Sequence, residues 1–323
     1  MKQILVYEPG GPEQMQLVDV PTPSPGPGQV LVAIAVSGVN FLDVYFRTGL
    51  YKSDRPITIG SEAAGTVESV GPGVTDVAPV DRVAYTMVRG SYAEYALVPA
   101  AQVVKIPNAV DFDTAAALIL QGTTAHYLTR STFPVEAHHT CLVHAAAGGA
   151  GGLVVQMAKA RGARVFGTVS TEAKADEVGE LGADEAIIYT QQDFEAEVKR
   201  LTGGRGVDVV FDSVGQSTFD KSLAVLRPRG MMVLFGQSSG PVPPLDPNRL
   251  NSGGSLFLTR PSLGHYLATP EELRWRVGEL MEMVAAGTLK VRISAAYPLA
   301  EAARAHRDLE SRATSGKLLL RVR

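Results

Sequence analysis

The sequence predicts an α/β protein in two parts, a β-rich portion and a doubly wound parallel sheet. Three observations predict it. Residues 1–120 break into short apolar or alternating runs cut by Gly and Pro. From residue 141 strand-like and helix-like periods alternate, which argues for parallel strands joined by crossover helices. The first of these alternations, "CLVHAAAGGAGGLVVQMAKARGARVFGTVS" (141–170), carries an apolar run into a cluster of glycines and on into an amphipathic stretch.

In chain order, "MKQILVYE" and "QVLVAIAVSGVN" read as strands, and "PTPSPGPGQ" (21–29) separates them with residues that neither a helix nor a central strand tolerates. "GSEAAGTVESVGPGV" and "DRVAY" continue the short strands. "DFDTAAALILQGTTAHYLTR" (111–130) changes to helical spacing behind an Asp suited to an N-cap. Strands are then expected at "CLVHA", "RVFGTVS", "EAIIY", "VDVVFDSVG", "MMVLFG" and "SLFLTR". Helices are expected at 150–161, 172–181, 193–202 and 217–226, the last stopped by "RPRG". Residues 240–254 read as a Pro/Gly/Asn-rich connection, and 270–287 as a helix with Pro at its start and Gly at its end. The tail closes with a helix and a strand.

Length and composition set bounds on function. With 323 residues, two domains are expected. Apolar residues at 45% and charged residues at 20% are ordinary for a globular chain, and Gly (33) with Pro (20) imply many turns. A net charge of −3 gives no basic field for nucleic acid. The single cysteine, Cys141, excludes an internal disulfide and a multi-cysteine zinc site, and its apolar setting suits a core residue. The N-terminus lacks the apolar stretch of a signal peptide, and no window approaches a membrane span, so a cytoplasmic protein is expected.

The glycine loop reads Ala146-Ala147-Gly148-Gly149-Ala150-Gly151. Against G-x-G-x-x-G, Gly148 and Gly151 hold the second and third glycine positions and Ala146 replaces the first. That spacing gives a tight turn, close approach of backbone to a pyrophosphate, and a helix N-terminus whose free N–H groups and dipole meet the phosphates. Its place after a strand and before a helix favours a dinucleotide over a merely close-packed turn. An NAD-binding fold places Asp or Glu about 20 residues on, for the ribose 2′-OH. Here the second strand ends Thr168-Val169-Ser170-Thr171, and Lys174 follows. Two hydroxyls and a lysine suit a 2′-phosphate, which a carboxylate would repel, so NADPH is favoured over NADH. Glu172 reads as a solvated first-turn residue, and Lys174 alone would also serve as an ordinary surface lysine.

Taken together, "SGVNFLDVYFRTGLY", "GSEAAGTVESVG", "HAAAGGAGG", "VFDSVG", "LFGQSSG", "SLFLTRPSL" and "LESRATSGK" closely resemble the zinc-independent quinone oxidoreductases, the zeta-crystallin-like branch of the medium-chain dehydrogenases/reductases. The resemblance runs nearly end to end. It implies a GroES-like catalytic domain of residues 1–122 and 263–323, with a Rossmann NADPH-binding domain of 123–262 inserted. It also implies NADPH-dependent reduction of quinones and a homodimer whose last sheet strand, here "SLFLTR", pairs across the interface. Where zinc-bearing relatives have a catalytic Cys and a His, this chain has Asn40 and Ser61, and the four-cysteine loop for structural zinc has no counterpart. An amide and a hydroxyl are poor zinc ligands, so no metal is expected.

A quinone accepts hydride readily, so such a site must supply placement and donors for the developing oxyanion rather than a Lewis acid. The resemblance places Asn40, Asp43 and Tyr45 at the nicotinamide end, and Phe41 and Leu42 along the cofactor. Asn40, Tyr45 and Tyr51 offer neutral donors, with Asn40 and Tyr45 expected to meet the carbonyl, while Phe41 and the tyrosine rings offer flat faces. Asp43 would instead orient the loop or Arg47. By residue pattern alone, 40–51 reads equally as a helical segment with core aromatics. Further cofactor positions carried by the resemblance are Thr124 and Tyr127, one turn apart on the helix entering the nucleotide domain. Tyr189 is placed at the third strand end and Gly236-Gln237-Ser238-Ser239 at the fifth, with Arg260 and Arg312 beyond. Gln237 stands where many relatives have Asn, and Ala150 where many have Val.

Two other functions fit the same residues. Reduction of an activated C=C bond in an enal or enone needs the same hydride geometry, and a non-catalytic NADPH-binding protein with a structural or RNA-binding role would share the loop. The charge of −3 and the absence of a basic stripe speak against RNA.

Overall fold

The computed structural model describes residues 1–323. They form two compact units, Met1–Thr123 with Leu267–Arg323, and Thr124–Tyr266.

The first unit opens with β1 (Lys2–Val6), β2 (Met15–Asp19) and β3 (Gln29–Val39), followed by α1 (Phe41–Arg47). Then come β4 (Ile57–Thr58), β5 (Glu62–Val70), β6 (Arg82–Thr86), β7 (Tyr95–Pro99), β8 (Val103–Lys105) and α2 (Phe112–Tyr127), the helix that carries the chain into the second unit. Asp111 caps α2, its carboxylate accepting from the Thr114 N–H at 2.6 Å. β3 is a β-branched, apolar run in which nearly every residue is buried. It pairs antiparallel with β5 and with β7. Val30, Val32 and Ile34 of β3 form a core with Val67, Val83 and Tyr85 of the neighbouring strands.

The second unit alternates strand and helix. It contains β9 (Thr140–Val143), α3 (Gly149–Ala160), β10 (Arg164–Val169), α4 (Glu172–Glu180), β11 (Glu185–Ile188) and α5 (Phe194–Leu201). It continues with β12 (Val207–Asp212), α6 (Phe219–Ala224), β13 (Leu226–Leu234), α7 (Asn248–Ser252) and β14 (Phe257–Thr259). All six strands pair parallel, in the order β11-β10-β9-β12-β13-β14. Numbered within the unit, that is 3-2-1-4-5-6, the order of dinucleotide-binding sheets, with its topological switch point between β9 and β12. Parallel strands covered on both faces need apolar side chains throughout, and β9 and β12 are wholly buried.

The chain then returns to the first unit through α8 (Pro270–Ala285), β15 (Ile293–Pro298), α9 (Ala302–Glu310) and β16 (Lys317–Arg321). β16 pairs antiparallel with β3, Leu318 opposite Val39. The last strand of the chain therefore lies beside the residues that lead into α1.

Several local expectations are corrected. The helix expected at 217–226 spans only Phe219–Ala224, and "RPRG" lies inside β13 rather than ending a helix. Pro228 is accommodated there because pairing with β12 is interrupted between Val207 and Val209 and Arg229 adopts a left-handed φ of 60°. The connection 240–254 contains α7. β10 stops at Val169 and β11 at Ile188, leaving Ser170 and Tyr189 just beyond their strands. β15 adds a strand to the tail. No helix is long and apolar enough to cross a membrane.

Candidate active site and nucleotide-binding loop

Asn40 sits between β3 and α1 in an extended conformation, as the N-cap of the helix. The Asp43 carboxylate reaches back and accepts from the Asn40 N–H at 3.0 Å, which fixes the entry into α1. The Asn40 side chain is buried and held from three sides. Its Oδ1 accepts from Lys317 Nζ at 2.7 Å and from Gln121 Nε2 at 3.3 Å, and its Nδ2 donates to Glu62 Oε1 at 2.7 Å. An ammonium cannot accept a hydrogen bond, so Lys317 dictates which way the amide faces. The second Nδ2 hydrogen has no partner within the fold.

Lys317 and Glu62 are themselves a buried ion pair, 2.5 Å apart, both almost fully excluded from solvent. The other Glu62 oxygen accepts from the Leu120 N–H at 2.7 Å. A pair of charges survives burial only with such additional hydrogen bonds. Gly38 makes room for it, because a Cβ at that position would overlap the Glu62 carboxylate and the Lys317 stem. The pair thus joins β16, β5 and the end of β3 around one amide.

Asp43 is buried beside this group. Its carboxylate accepts from Ser61 Oγ at 2.7 Å and from the Tyr92 hydroxyl at 3.3 Å, besides the Asn40 N–H. Desolvation pushes its pKa up to about 7, against the pull of the Ser61 hydrogen bond and the Lys317 charge. Tyr92 continues to His306 Nε2 at 3.0 Å, and His306 Nδ1 faces Arg47 Nη1 at 3.3 Å. Burial and the Arg47 charge hold His306 down at about 3, so its ring is neutral. Arg47 itself pairs with Glu310 at 2.8 Å, not with Asp43, so Asp43 orients the start of α1 and the expected link to Arg47 is not made.

Aromatic residues gather on α1 and in the turn just after it. Tyr45 is buried and its ring lies 5.3 Å from Tyr51 and 6.4 Å from Phe41. Leu42 follows Phe41 in the first turn, and both are half-buried. Arg312 stands in the turn after α9 with a left-handed φ of 59°.

In the second unit, Gly148 caps α3 without offering a side chain, so the first N–H groups of the helix, at Gly149, Ala150 and Gly151, have no capping acceptor from it. Gly151 is required by close approach, because a Cβ there would overlap the Ala145 carbonyl oxygen. Ala145 itself takes a left-handed φ of 50°. Ala146 is fully buried where the first glycine of the motif would stand, against Gly167 of β10. Both features pack the loop tightly between β9, α3 and β10.

Beyond β10, Thr171 caps α4, accepting from the Lys174 N–H at 3.3 Å. Ser170 is half-buried, and burial lowers the pKa of Lys174. Tyr189 is 47% exposed just past β11, a free face at the strand's carboxyl end. After β13, Gly236 lies so close to Ser213 that a Cβ would overlap its backbone. Gln237 is half-buried, Ser238 N–H donates to the Ser213 carbonyl at 3.2 Å, and Ser239 Oγ accepts from the Ser217 N–H at 3.0 Å. Arg260 donates to the Leu234 carbonyl at 3.1 Å. Thr124 and Tyr127 are buried on α2, and the Tyr127 ring stacks on Tyr266 at 4.3 Å.

Two family models match the chain. The alcohol dehydrogenase GroES-like domain covers residues 26–108, and the zinc-binding dehydrogenase model covers 149–281. Quinone oxidoreductase 1 of Escherichia coli strain K12 is 42% identical over 322 residues, 98% of each chain. The chain belongs to the quinone oxidoreductase family of medium-chain dehydrogenases/reductases. The Escherichia coli quinone oxidoreductase solved with NADPH superimposes with a TM-score of 0.98 over the whole of both chains. A mycobacterial protein solved with NADPH is 47% identical with a TM-score of 0.97, again over both chains in full. Within the same set, a 2-haloacrylate reductase from a Burkholderia species is 43% identical over 98% of this chain and 97% of its own.

Other members of the wider superfamily carry zinc, and the residues here do not fit it. The Asn40 oxygen is engaged by an ammonium, and the Ser61 hydroxyl is committed to Asp43. A fixed positive charge at that point repels a divalent cation, and no group of three His, Cys, Asp or Glu side chains is arranged to hold one. Lys317, Glu62, Gln121, Tyr92 and His306 were not legible as site residues in this quinone oxidoreductase. The one local signal was a lysine directly before the apolar run of "KLLLR".

Proposed function

We propose that this chain reduces quinones with NADPH and without a metal. The observation that carries the reading is the Asn40 amide, fixed by the buried Lys317–Glu62 pair with one N–H to spare, in a chain 42% identical over nearly its full length to a quinone oxidoreductase. NADPH supplies the hydride. The N-terminus of α3 and Gly148–Gly151 would hold its pyrophosphate, and Ser170, Thr171 and Lys174 its 2′-phosphate. Tyr189 would meet the adenosine end, and Gly236–Ser239 the ribose at the carboxyl edge of the sheet. Thr124, Tyr127, Phe41, Leu42, Arg260 and Arg312 remain proposed cofactor contacts.

The spare N–H of Asn40 donates to the acceptor oxygen as charge builds on it, and the hydroxyl of Tyr45 on α1, with that of Tyr51 just after the helix, assists. Because Lys317 and Glu62 set the amide in advance, no reorganisation is needed during the reaction. Asp43 holds the start of α1 rather than touching the acceptor. We further propose a homodimer paired through β14, since β14 is an edge strand of the six-stranded sheet and Phe257 on it is 56% exposed.

The 2-haloacrylate reductase relative favours a second reading, hydride addition to an activated C=C bond, which the same donors would serve at a conjugated carbonyl. Steady-state oxidation of NADPH and NADH by chelator-treated protein, with 1,4-benzoquinone, 9,10-phenanthrenequinone or 2-chloroacrylate, separates the readings. Quinone turnover with NADPH preferred supports the first. Turnover with the haloacrylate alone replaces it with the second.

A further inference from the structure

His144 follows β9 at the switch point of the sheet, and its backbone N–H donates to the Phe211 carbonyl of β12 at 3.0 Å. Its side chain is buried, and both ring nitrogens are used. Nδ1 lies 2.9 Å from Thr168 Oγ1 of β10, and Nε2 lies 2.9 Å from Ser222 Oγ of α6. Ser222 in turn donates to Asp212 Oδ2 at 3.2 Å. Since the Ser222 hydrogen goes to the carboxylate, its oxygen must accept from His144 Nε2–H. His144 Nδ1 must then accept from the Thr168 hydroxyl. Burial lowers the His144 pKa, consistent with a neutral ring of this one tautomer. The order is histidine–serine–aspartate with the carboxylate on the serine, so it is not a nucleophile relay, in which the carboxylate would hold the imidazole.

What the chain of bonds joins is more informative. On one side, the Thr168 carbonyl accepts from the Ala146 N–H of the glycine loop at 3.1 Å, and two residues later the backbone opens into Ser170, Thr171 and Lys174. On the other side, Asp212 accepts from the N–H groups of Val214 (2.6 Å) and Gly215 (3.0 Å) and from Thr218 Oγ1 (2.7 Å). The loop so fixed holds Ser238 and Ser239 through the carbonyls of Ser213 and Val214. We infer that His144 is a positioning residue for the dinucleotide, tying the 2′-phosphate end of the site (through Thr168) to the Gly236–Ser239 end (through Ser222 and Asp212). The inference rests on the proposed NADPH reading. It differs from a core role because its two arms reach different ends of the ligand.

The test cuts one arm at a time and reads the dissociation constants of NADPH and NADH by fluorescence titration, with melting temperature alongside. Thr168→Val, nearly isosteric, removes the donor on the 2′-phosphate side. It should lower the preference for NADPH over NADH by about fivefold, the effect of one hydrogen bond expressed through a ligand contact. Thr168→Ser, which keeps the hydroxyl, should restore it. Ser222→Ala should weaken both cofactors alike and leave the ratio within about twofold. Should Thr168→Val not fold, His144→Asn, which keeps an acceptor near Nδ1 but not the reach to Ser222, is expected to follow Ser222→Ala. A lowered melting temperature with the preference unchanged in Thr168→Val, or a preference lost equally in Ser222→Ala, overturns the inference. Failure of the wild-type protein to bind NADPH would overturn the cofactor reading itself and the inference with it.

Discussion

Lys317 Nζ lies 2.7 Å from Asn40 Oδ1 although 277 positions separate them in the chain. The contact exists because β16 pairs with β3 and brings the tail beside the start of α1. It places a full positive charge behind a neutral amide, so that the amide donates outward. Replacing Lys317 with Met leaves Glu62 buried without its counter-charge, which should cost about 3–5 kcal/mol of stability. The variant should show a lowered urea midpoint, and Lys317→Met combined with Glu62→Gln should regain much of it. Turnover should stay low in both, because neither restores the hold on Asn40.

Asn40→Ala removes the donor and keeps the cofactor loop intact. Loss of one preorganised donor to a developing oxyanion lowers kcat by roughly a hundredfold. The expected result is that loss in kcat for quinone, with the dissociation constant for NADPH unchanged by titration. A comparable loss of NADPH binding would instead make Asn40 a cofactor contact.

The pH dependence of stability should carry the mark of Asp43. Its pKa rises from 3.8 in the open chain to about 7 in the folded protein, chiefly through desolvation. Below pH 3.8 the carboxyl is protonated in both states and folding meets no penalty. Between there and about pH 7 only the unfolded chain releases the proton, so stability falls as pH rises and levels off above. Asp43→Asn should abolish that decline, measured as melting temperature against pH, while lowering stability overall through its altered bonds to Ser61 and Tyr92. A decline of the same size in Asp43→Asn would assign it to other groups.

The second unit was largely legible in the sequence because its signals are local. Each parallel strand is a short apolar run, each helix has its own period, and the glycine loop sits where β9 meets α3. The errors there come from tertiary override. The "RPRG" run reads as a helix stop, yet β13 accommodates Pro228 beside a break in pairing with β12. The polar cluster of the first unit was only half legible. Asn40, Asp43 and Tyr45 share one stretch of six residues, but Glu62, Tyr92, His306 and Lys317 reach them through sheet pairing and helix packing, which no local pattern encodes. His144 was in view within "CLVHAAA" and read as part of a strand, because its partners lie on β10 and α6.

Lys174 bears on cofactor choice. It follows the N-cap Thr171 of α4, where the helix dipole already favours an anion, and burial lowers its pKa. A lysine there gains most from a dianionic 2′-phosphate and little from a ribose hydroxyl. Lys174→Ala should therefore raise the dissociation constant for NADPH by roughly tenfold, the effect of a hydrogen bond to a charged group. NADH binding should stay within about twofold. Lys174→Glu should go further, since the new carboxylate repels the phosphate and can accept from a ribose hydroxyl, and the preference should invert toward NADH. Equal changes for both cofactors would place the 2′-phosphate elsewhere in the site, and Ser170 and Thr171 would then be the next positions to replace.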